Sequence, residues 1–245
     1  MTQWLRSIAL WLLAPVAVAA ASADVQPAGA PDTMAERVKA CIVCHTTADK
    51  AGRDAYYPRI AGKPEGYLFN QLRNFRDGRR HYRPMKLLLE NLPDAYLREM
   101  ARHFSALELA FPPPEPLAIP PEEADLARTL ILRGDPARDI PACTACHGAD
   151  LMGTAPFIPG LLGLPRVYLL AQFGNWRNGG LMRGQAHDCM SEIAGRLAPR
   201  ETDALAAWLA ARPGTTARPA DAAAALPAEL ARRCGSIVLQ SAGPQ

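Results

Sequence analysis

A five-residue pattern occurs twice in this chain, as Cys41-Ile42-Val43-Cys44-His45 and as Cys143-Thr144-Ala145-Cys146-His147. C-x-x-C-H is the attachment pattern for a c-type haem. Two thiols at this spacing can each form a thioether to one of the two vinyl groups of a single porphyrin. The next residue, a histidine, is then carried beneath the iron, where its imidazole becomes the proximal ligand. The same C-x-x-C spacing serves zinc knuckles, redox dithiols and structural cystines. Zinc sites pair two such units across roughly 15–20 residues, whereas these two lie 102 residues apart. A redox dithiol needs no following histidine, and here it is present both times. The reading is two covalently bound haem c groups, held by Cys41, Cys44, Cys143 and Cys146, with His45 and His147 on the irons.

The amino terminus reads as an export signal over residues 1–23. Arg6 supplies the positive start, Ile8 to Ala21 is apolar and uncharged, and Ala21-Ser22-Ala23 is an A-x-A cleavage site. The alternative is an uncleaved anchor, for which the run is short and alanine-rich at its end. No later segment is apolar enough to span a bilayer. Export to the periplasm suits the haem reading, because covalent attachment is made outside the bacterial cytoplasm. Losing Arg6 takes the formal charge from +3 to +2, and four haem propionates then leave the holoprotein mildly acidic. That balance argues against nucleic acid as a partner and against strong attraction to a membrane surface.

An internal repeat organises the rest. Shifted by 101 residues, Pro58 falls on Pro159, Gly62 on Gly163, Pro64 on Pro165, Tyr67 on Tyr168, Gln71 on Gln172, Phe75 on Trp176, Arg76 on Arg177 and Gly78 on Gly179. Each haem motif therefore sits in its own copy of one scaffold. The predicted organisation is a haem domain over 24–111, a linker over 112–121, a second haem domain over 122–212 and an Ala/Pro-rich tail over 213–245. Six of the ten linker residues are proline, which favours a semi-rigid extended strap over a floppy tether.

The coarse structure is helical. Short helices are expected over 34–40 and 121–133, the latter opening on proline and acids and closing at Gly134. Amphipathic spacing predicts helices over 66–76 and 166–177, and closing helices over 94–107 and 200–211. Nothing reads as a convincing strand. Domains of this size bury little apolar area; the haem completes the core, and each half is expected to fold poorly without it.

The sixth ligands come from the remaining Met and His residues. Met85 precedes Leu92 by seven residues and Met190 precedes Leu197 by seven, which aligns the two closing helices. Met182 matches His81 instead, Met100 has core spacing within a helix, and Met152 lies too close behind His147. Met85 and Met190 are therefore the axial candidates, with His81 and His187 as rivals that would give bis-histidine iron. A ligating histidine usually gives its other N–H to a carbonyl. The backbone carbonyls of Pro58 and Pro159 are the candidates for that role, though both residues also read as plain turn prolines.

C-x-x-C-H, then P-x-x-x-G, then Y-x-x-x-Q-x-x-x-(F/W)-R-x-G, then a methionine before a closing helix resembles a class I cytochrome c. The tandem arrangement, with Arg133-Gly134-Asp135 leading to Ile140-Pro141-Ala142-Cys143, resembles the di-haem cytochrome c4 family over residues 34–211. That resemblance implies an all-α protein of two tandem class I cytochrome c domains, each a few helices wrapped around one covalent haem. It also implies His/Met iron in each domain, haems close to the domain interface, and periplasmic redox partners such as an oxidase, reductase or dehydrogenase. Two features depart from the family pattern. Thr46 follows the first motif where glycine is commoner, and Cys189 and Cys234 lie outside the haem motifs. Two spare thiols in an oxidising compartment often pair; a Cys189–Cys234 disulfide would clip the tail onto the methionine loop. Free or buried thiols are the alternative.

Three function classes compete. An electron carrier needs two six-coordinate haems and no substrate pocket. A fixed electron-transfer subunit of a flavin or alcohol dehydrogenase type of oxidoreductase needs the same haems and a docking surface, with at most loose association with a membrane complex. A di-haem peroxidase needs an open iron with acid and base groups beside it. A methionine at the matching place in both copies speaks against the last, and the expectation is a carrier with no catalytic residues.

Overall fold

The computed structural model describes residues 32–45, 57–179, 188–215 and Cys234. The export signal, Met182, His187 and most of the tail lie outside the described residues.

In the first half, α1 (Met34–Arg37) and α2 (Lys39–His45) lead into and through the first haem motif. They are followed by α3 (Glu65–Arg76), α4 (Arg83–Leu89) and α5 (Asp94–Ala106). In the second half, α6 (Pro121–Arg133) precedes the one-turn α7 (Thr144–His147). A hairpin of β1 (Gly153–Thr154) and β2 (Ile158–Pro159) comes next, then α8 (Arg166–Arg177), α9 (Cys189–Arg196) and α10 (Pro199–Ala210).

The repeated punctuation explains the repeated helices. Pro64 and Pro165 sit immediately before α3 and α8, and Gly78 and Gly179 follow their ends with φ of +74° and +73°. A proline that cannot continue a helix backwards and a glycine that takes positive φ at no steric cost set both lengths. Gly134 ends α6 at φ +69°, where a Cβ would run into the backbone of Ile140 and Ala142.

Three expectations need correction. The helix expected over 34–40 breaks at Val38 and resumes as α2, which runs through His45. Helices α4 and α9, which carry Met85 and Met190, were not foreseen; at seven and eight residues they are too short for an apolar period to show. A small antiparallel ladder does exist, pairing Gly153 with Pro159 and Thr154 with Ile158. Two-residue strands leave no alternation to read.

Each half has its own core. Val38, Phe69, Leu89, Leu97, Ala101 and Phe104 close the first, where α3 packs on α5 and α4. Leu130, Ile131, Leu169, Leu205 and Leu209 centre the second, where α10 packs on α6 and α8. Leu97 and Phe69 are at most 1% exposed, so each contributes about 1.5–3 kcal/mol by burial.

The halves meet at a seam. The Tyr67 N–H donates to the Pro156 carbonyl at 3.0 Å, and the Lys63 ammonium donates to the Gly160 carbonyl at 2.9 Å. The backbone at Gly66 lies so close to Phe157 that a Cβ would sit 2.6 Å from its ring. The Arg80 guanidinium donates to Gln71 Oε1 at 2.7 Å, to Gln172 Oε1 at 3.1 Å and to the Tyr168 hydroxyl at 3.3 Å. The Tyr67 hydroxyl also hydrogen-bonds this guanidinium, so all four repeated Tyr and Gln positions converge on one cation. The proline strap lies along the second half: the Glu115 N–H donates to Ala210 O at 2.9 Å and its carboxylate accepts from the Arg166 N–H at 3.0 Å. Phe111, at the head of the strap, packs where Cβ atoms at Gly163 and Gly214 would clash, under the Arg59 guanidinium at 4.2 Å.

Candidate haem sites

In the second half, Cys143 has helical φ and ψ and α7 continues through His147. Helical spacing of three and four residues puts Cys143, Cys146 and His147 on one face. His147 Nδ1 lies 2.7 Å from the Pro159 carbonyl. A carbonyl can only accept, so Nδ1 carries the proton and Nε2 keeps its lone pair for a ligand. The hairpin that presents Pro159 is tied back to the motif, because the Thr154 hydroxyl donates to Cys146 O at 2.8 Å. Burial pushes the His147 imidazole down to about 4, partly offset by the bond to Pro159, so the ring is neutral.

Burial pushes the Cys143 thiol up to about 11 and raises Cys146 as well. A redox dithiol needs a depressed thiol pKa, so this pair lacks that character. None of Cys41, Cys44, Cys143 and Cys146 is in a disulfide. No cluster of three or more His, Cys, Asp or Glu able to hold a metal ion occurs among the described residues.

Met190 enters from α9. The Asp188 carboxylate caps this helix and accepts from the Met190 N–H at 3.0 Å. Cys143, Cys146, His147 and Met190 all line one cavity, walled mainly by apolar side chains including Leu130, Ile158, Phe173 and Leu205. Two buried polar groups stand in that wall. The Trp176 indole N–H is buried without a hydrogen-bond partner, and Lys63 is 8% exposed. An apolar slot with two thiols and a lone-pair nitrogen, a thioether, and buried donors suited to carboxylates fits a haem c. Cys189 and Cys234 are joined by a disulfide, Cα atoms 4.8 Å apart, which ties position 234 beside Met190.

The first half repeats this logic. Cys41, Cys44 and His45 share one face of α2, and His45 Nδ1 lies 3.0 Å from the Pro58 carbonyl. Burial lowers the His45 pKa, opposed by that bond. Cys41 and Met85 are both half-buried against the same core cluster, while Cys44 is exposed. The expected carbonyl acceptors, Pro58 and Pro159, are therefore found in both halves. His81, the described rival ligand, is an exposed residue between α3 and α4. Met100 and Met152 are buried core residues.

One repeated function escaped the sequence reading. Arg76 donates to the Leu92 carbonyl at 3.1 Å, and Arg177 donates to the Leu197 carbonyl at 2.6 Å. Leu92 and Leu197 lie just after α4 and α9. The repeated arginine therefore fastens the end of the methionine helix in each half. The repeat marked both positions, but a backbone acceptor leaves no trace in sequence.

Comparison with known proteins decides the family. No protein-family model matches the chain. It is 36% identical over 183 residues to a thiosulfate dehydrogenase electron acceptor of Thiomonas intermedia, covering 74% of this chain and 82% of that one. It is 31% identical over 184 residues to cytochrome c4 of Pseudomonas aeruginosa, covering 74% and 88%. The chain belongs to the cytochrome c4 family. As a cytochrome c4 it is a di-haem c-type protein that transfers electrons. The crystal structure of reduced cytochrome c4 from Pseudomonas stutzeri superposes with a TM-score of 0.60 at 26% identity, over 75% of this chain and 99% of that one. A thiosulfate dehydrogenase from Marichromatium purpuratum superposes with a TM-score of 0.58 at 34% identity, over 71% of this cytochrome and 36% of that longer chain. No helix among the described residues is long and apolar enough to cross a membrane.

Proposed function

We propose that this cytochrome c4 shuttles single electrons in the periplasm, accepting them from a dehydrogenase and passing them to a second redox protein. In this reading Cys41 and Cys44 hold one haem by thioethers, and Cys143 and Cys146 hold the other. His45 and Met85 ligate the first iron, and His147 and Met190 the second. The two haem domains span 24–111 and 122–212, joined by the 112–121 strap, and the signal is cleaved after Ala23. The single observation behind the ligand set is the convergence of Cys143, Cys146, His147 and Met190 on one cavity. Bound there, the haem would supply one-electron iron chemistry. The chain supplies a neutral, oriented imidazole, a thioether that favours ferrous iron, and an apolar wall that keeps water away.

The donor class is suggested by the relatives' names, which include an electron acceptor of thiosulfate dehydrogenase and a thiosulfate dehydrogenase structure. Those names also favour the second reading, a haem subunit docked permanently on its dehydrogenase. Optical spectra of the oxidised and reduced protein test the ligand set. A methionine-to-iron charge-transfer band at two haems per chain is expected, and ready carbon monoxide binding by the reduced protein would refute it. Co-purification with a dehydrogenase in fixed stoichiometry would replace the shuttle reading with the subunit reading.

A further inference from the structure

The two halves share a scaffold, but the seam between them is electrically one-sided. Lys63 and Arg80 both come from the first half and both reach the second. At the repeat-equivalent positions stand Leu164 and Leu181. No carboxylate pairs with either cation among the described residues; their partners are a backbone carbonyl, amide oxygens and the hydroxyls of Tyr67 and Tyr168. A buried cation with only neutral partners calls for a counter-charge.

Lys63 is nine-tenths buried and lines the same cavity as Cys143, Cys146, His147 and Met190. Its acceptor, Gly160, directly follows Pro159, whose carbonyl orients His147. Gln71, Tyr168 and Gln172, the partners of Arg80, also line that cavity. Each haem c brings two carboxylates into a protein that here offers Lys63 in an apolar wall.

We propose that the first half tunes the second across the seam: Lys63 is the counter-charge for a carboxylate of the C-terminal haem and raises that haem's reduction potential. The inference rests on the haem assignment proposed above. Its physical basis is that ferrous haem carries one positive charge fewer than ferric. A fixed cation in a low-dielectric wall therefore favours reduction, and salt screens a buried pair weakly.

The test is a spectroelectrochemical titration of the holoprotein with the variants Lys63→Met, Lys63→Gln and Lys63→Arg. The variant M190H moves the C-terminal wave by its own ligand and so identifies it. K63M and K63Q are expected to lower the ferrous-to-ferric ratio of the C-terminal haem about tenfold, about 59 mV for a one-electron couple. The N-terminal wave should stay in place and K63R should match the parent. An unchanged C-terminal wave, or equal displacement of both waves by K63M, overturns the proposal. So does a wild-type value for K63Q beside a shifted K63M, because glutamine keeps the bond to Gly160 without the charge. Haem content per chain separates the two levels of the argument. A parent protein lacking two haems would sink the ligand reading, whereas two haems with unmoved potentials would sink only the tuning.

Discussion

Asp188 accepts a hydrogen bond from the backbone N–H of Met190, the residue proposed to face the second iron. Replacing an N-cap aspartate by alanine costs about 1 kcal/mol. D188A should therefore lower the melting temperature and weaken the methionine-to-iron band of the C-terminal haem, while D188N, which can still cap, keeps both. Arg138 offers a pH test. It donates to Glu201 at 2.7 and 3.0 Å and to Asp135 at 2.6 Å, and its guanidinium holds the Glu201 carboxyl below the ordinary range. The stability this contributes is present above roughly pH 4.3, the ordinary glutamate value, and is lost as pH falls through the lower folded value. R138M should flatten the acid limb of a denaturation profile followed in haem absorbance. At this scale the haem motifs and the two proline carbonyls were legible because both copies carry them at nearly the same offset, while the proposed axial methionines rested on their seven-residue spacing to Leu92 and Leu197. Lys63 was not legible. Its acceptor lies 97 residues away in sequence, and a lone lysine beside a glycine and a proline reads as surface.

Helices α3 and α8 were legible from their ends, since proline opens and glycine closes both at repeated positions. The methionine helices α4 and α9 were not, and an arginine from another helix bonds carbonyls at or beyond the end of each. Arg177 bonds Ala194 O at 3.3 Å and Leu197 O at 2.6 Å, holding the last turn of α9 and the residue after it. Losing these bonds should cost about 1–3 kcal/mol through unsatisfied carbonyls. R177M should show this as earlier thermal loss of the methionine-to-iron band. R177K should not rescue it, because one ammonium cannot reproduce the planar fork. R76M removes a comparable clamp plus the ion pair to Asp94, at 2.6 Å, and should perturb the first site in the same way.

The two separate cores and the seam were legible only in outline at the scale of the whole molecule. The repeat implied two halves, but not which faces meet. Each core carries one motif cysteine at its edge, Cys41 in the first and Cys143 in the second, where a bonded haem would complete it. Protein expressed without haem maturation should show depressed helicity and rapid proteolysis compared with holoprotein. Gly66 sits at the seam, where an added Cβ would lie 2.6 Å from the Phe157 ring and 2.7 Å from Pro156 O. G66A should push the halves apart, read as a larger radius of gyration in solution scattering at unchanged haem content.

Arg80 grips both halves through one rigid planar group, with oxygens of Gln71 on one side and of Tyr168 and Gln172 on the other. Sliding one half past the other by an ångström would break several of these bonds together. Tunnelling probability falls steeply with the gap to be crossed. With haems held as proposed, pinning that gap would make the crossing time between them a property of the polypeptide, insensitive to which partner has docked.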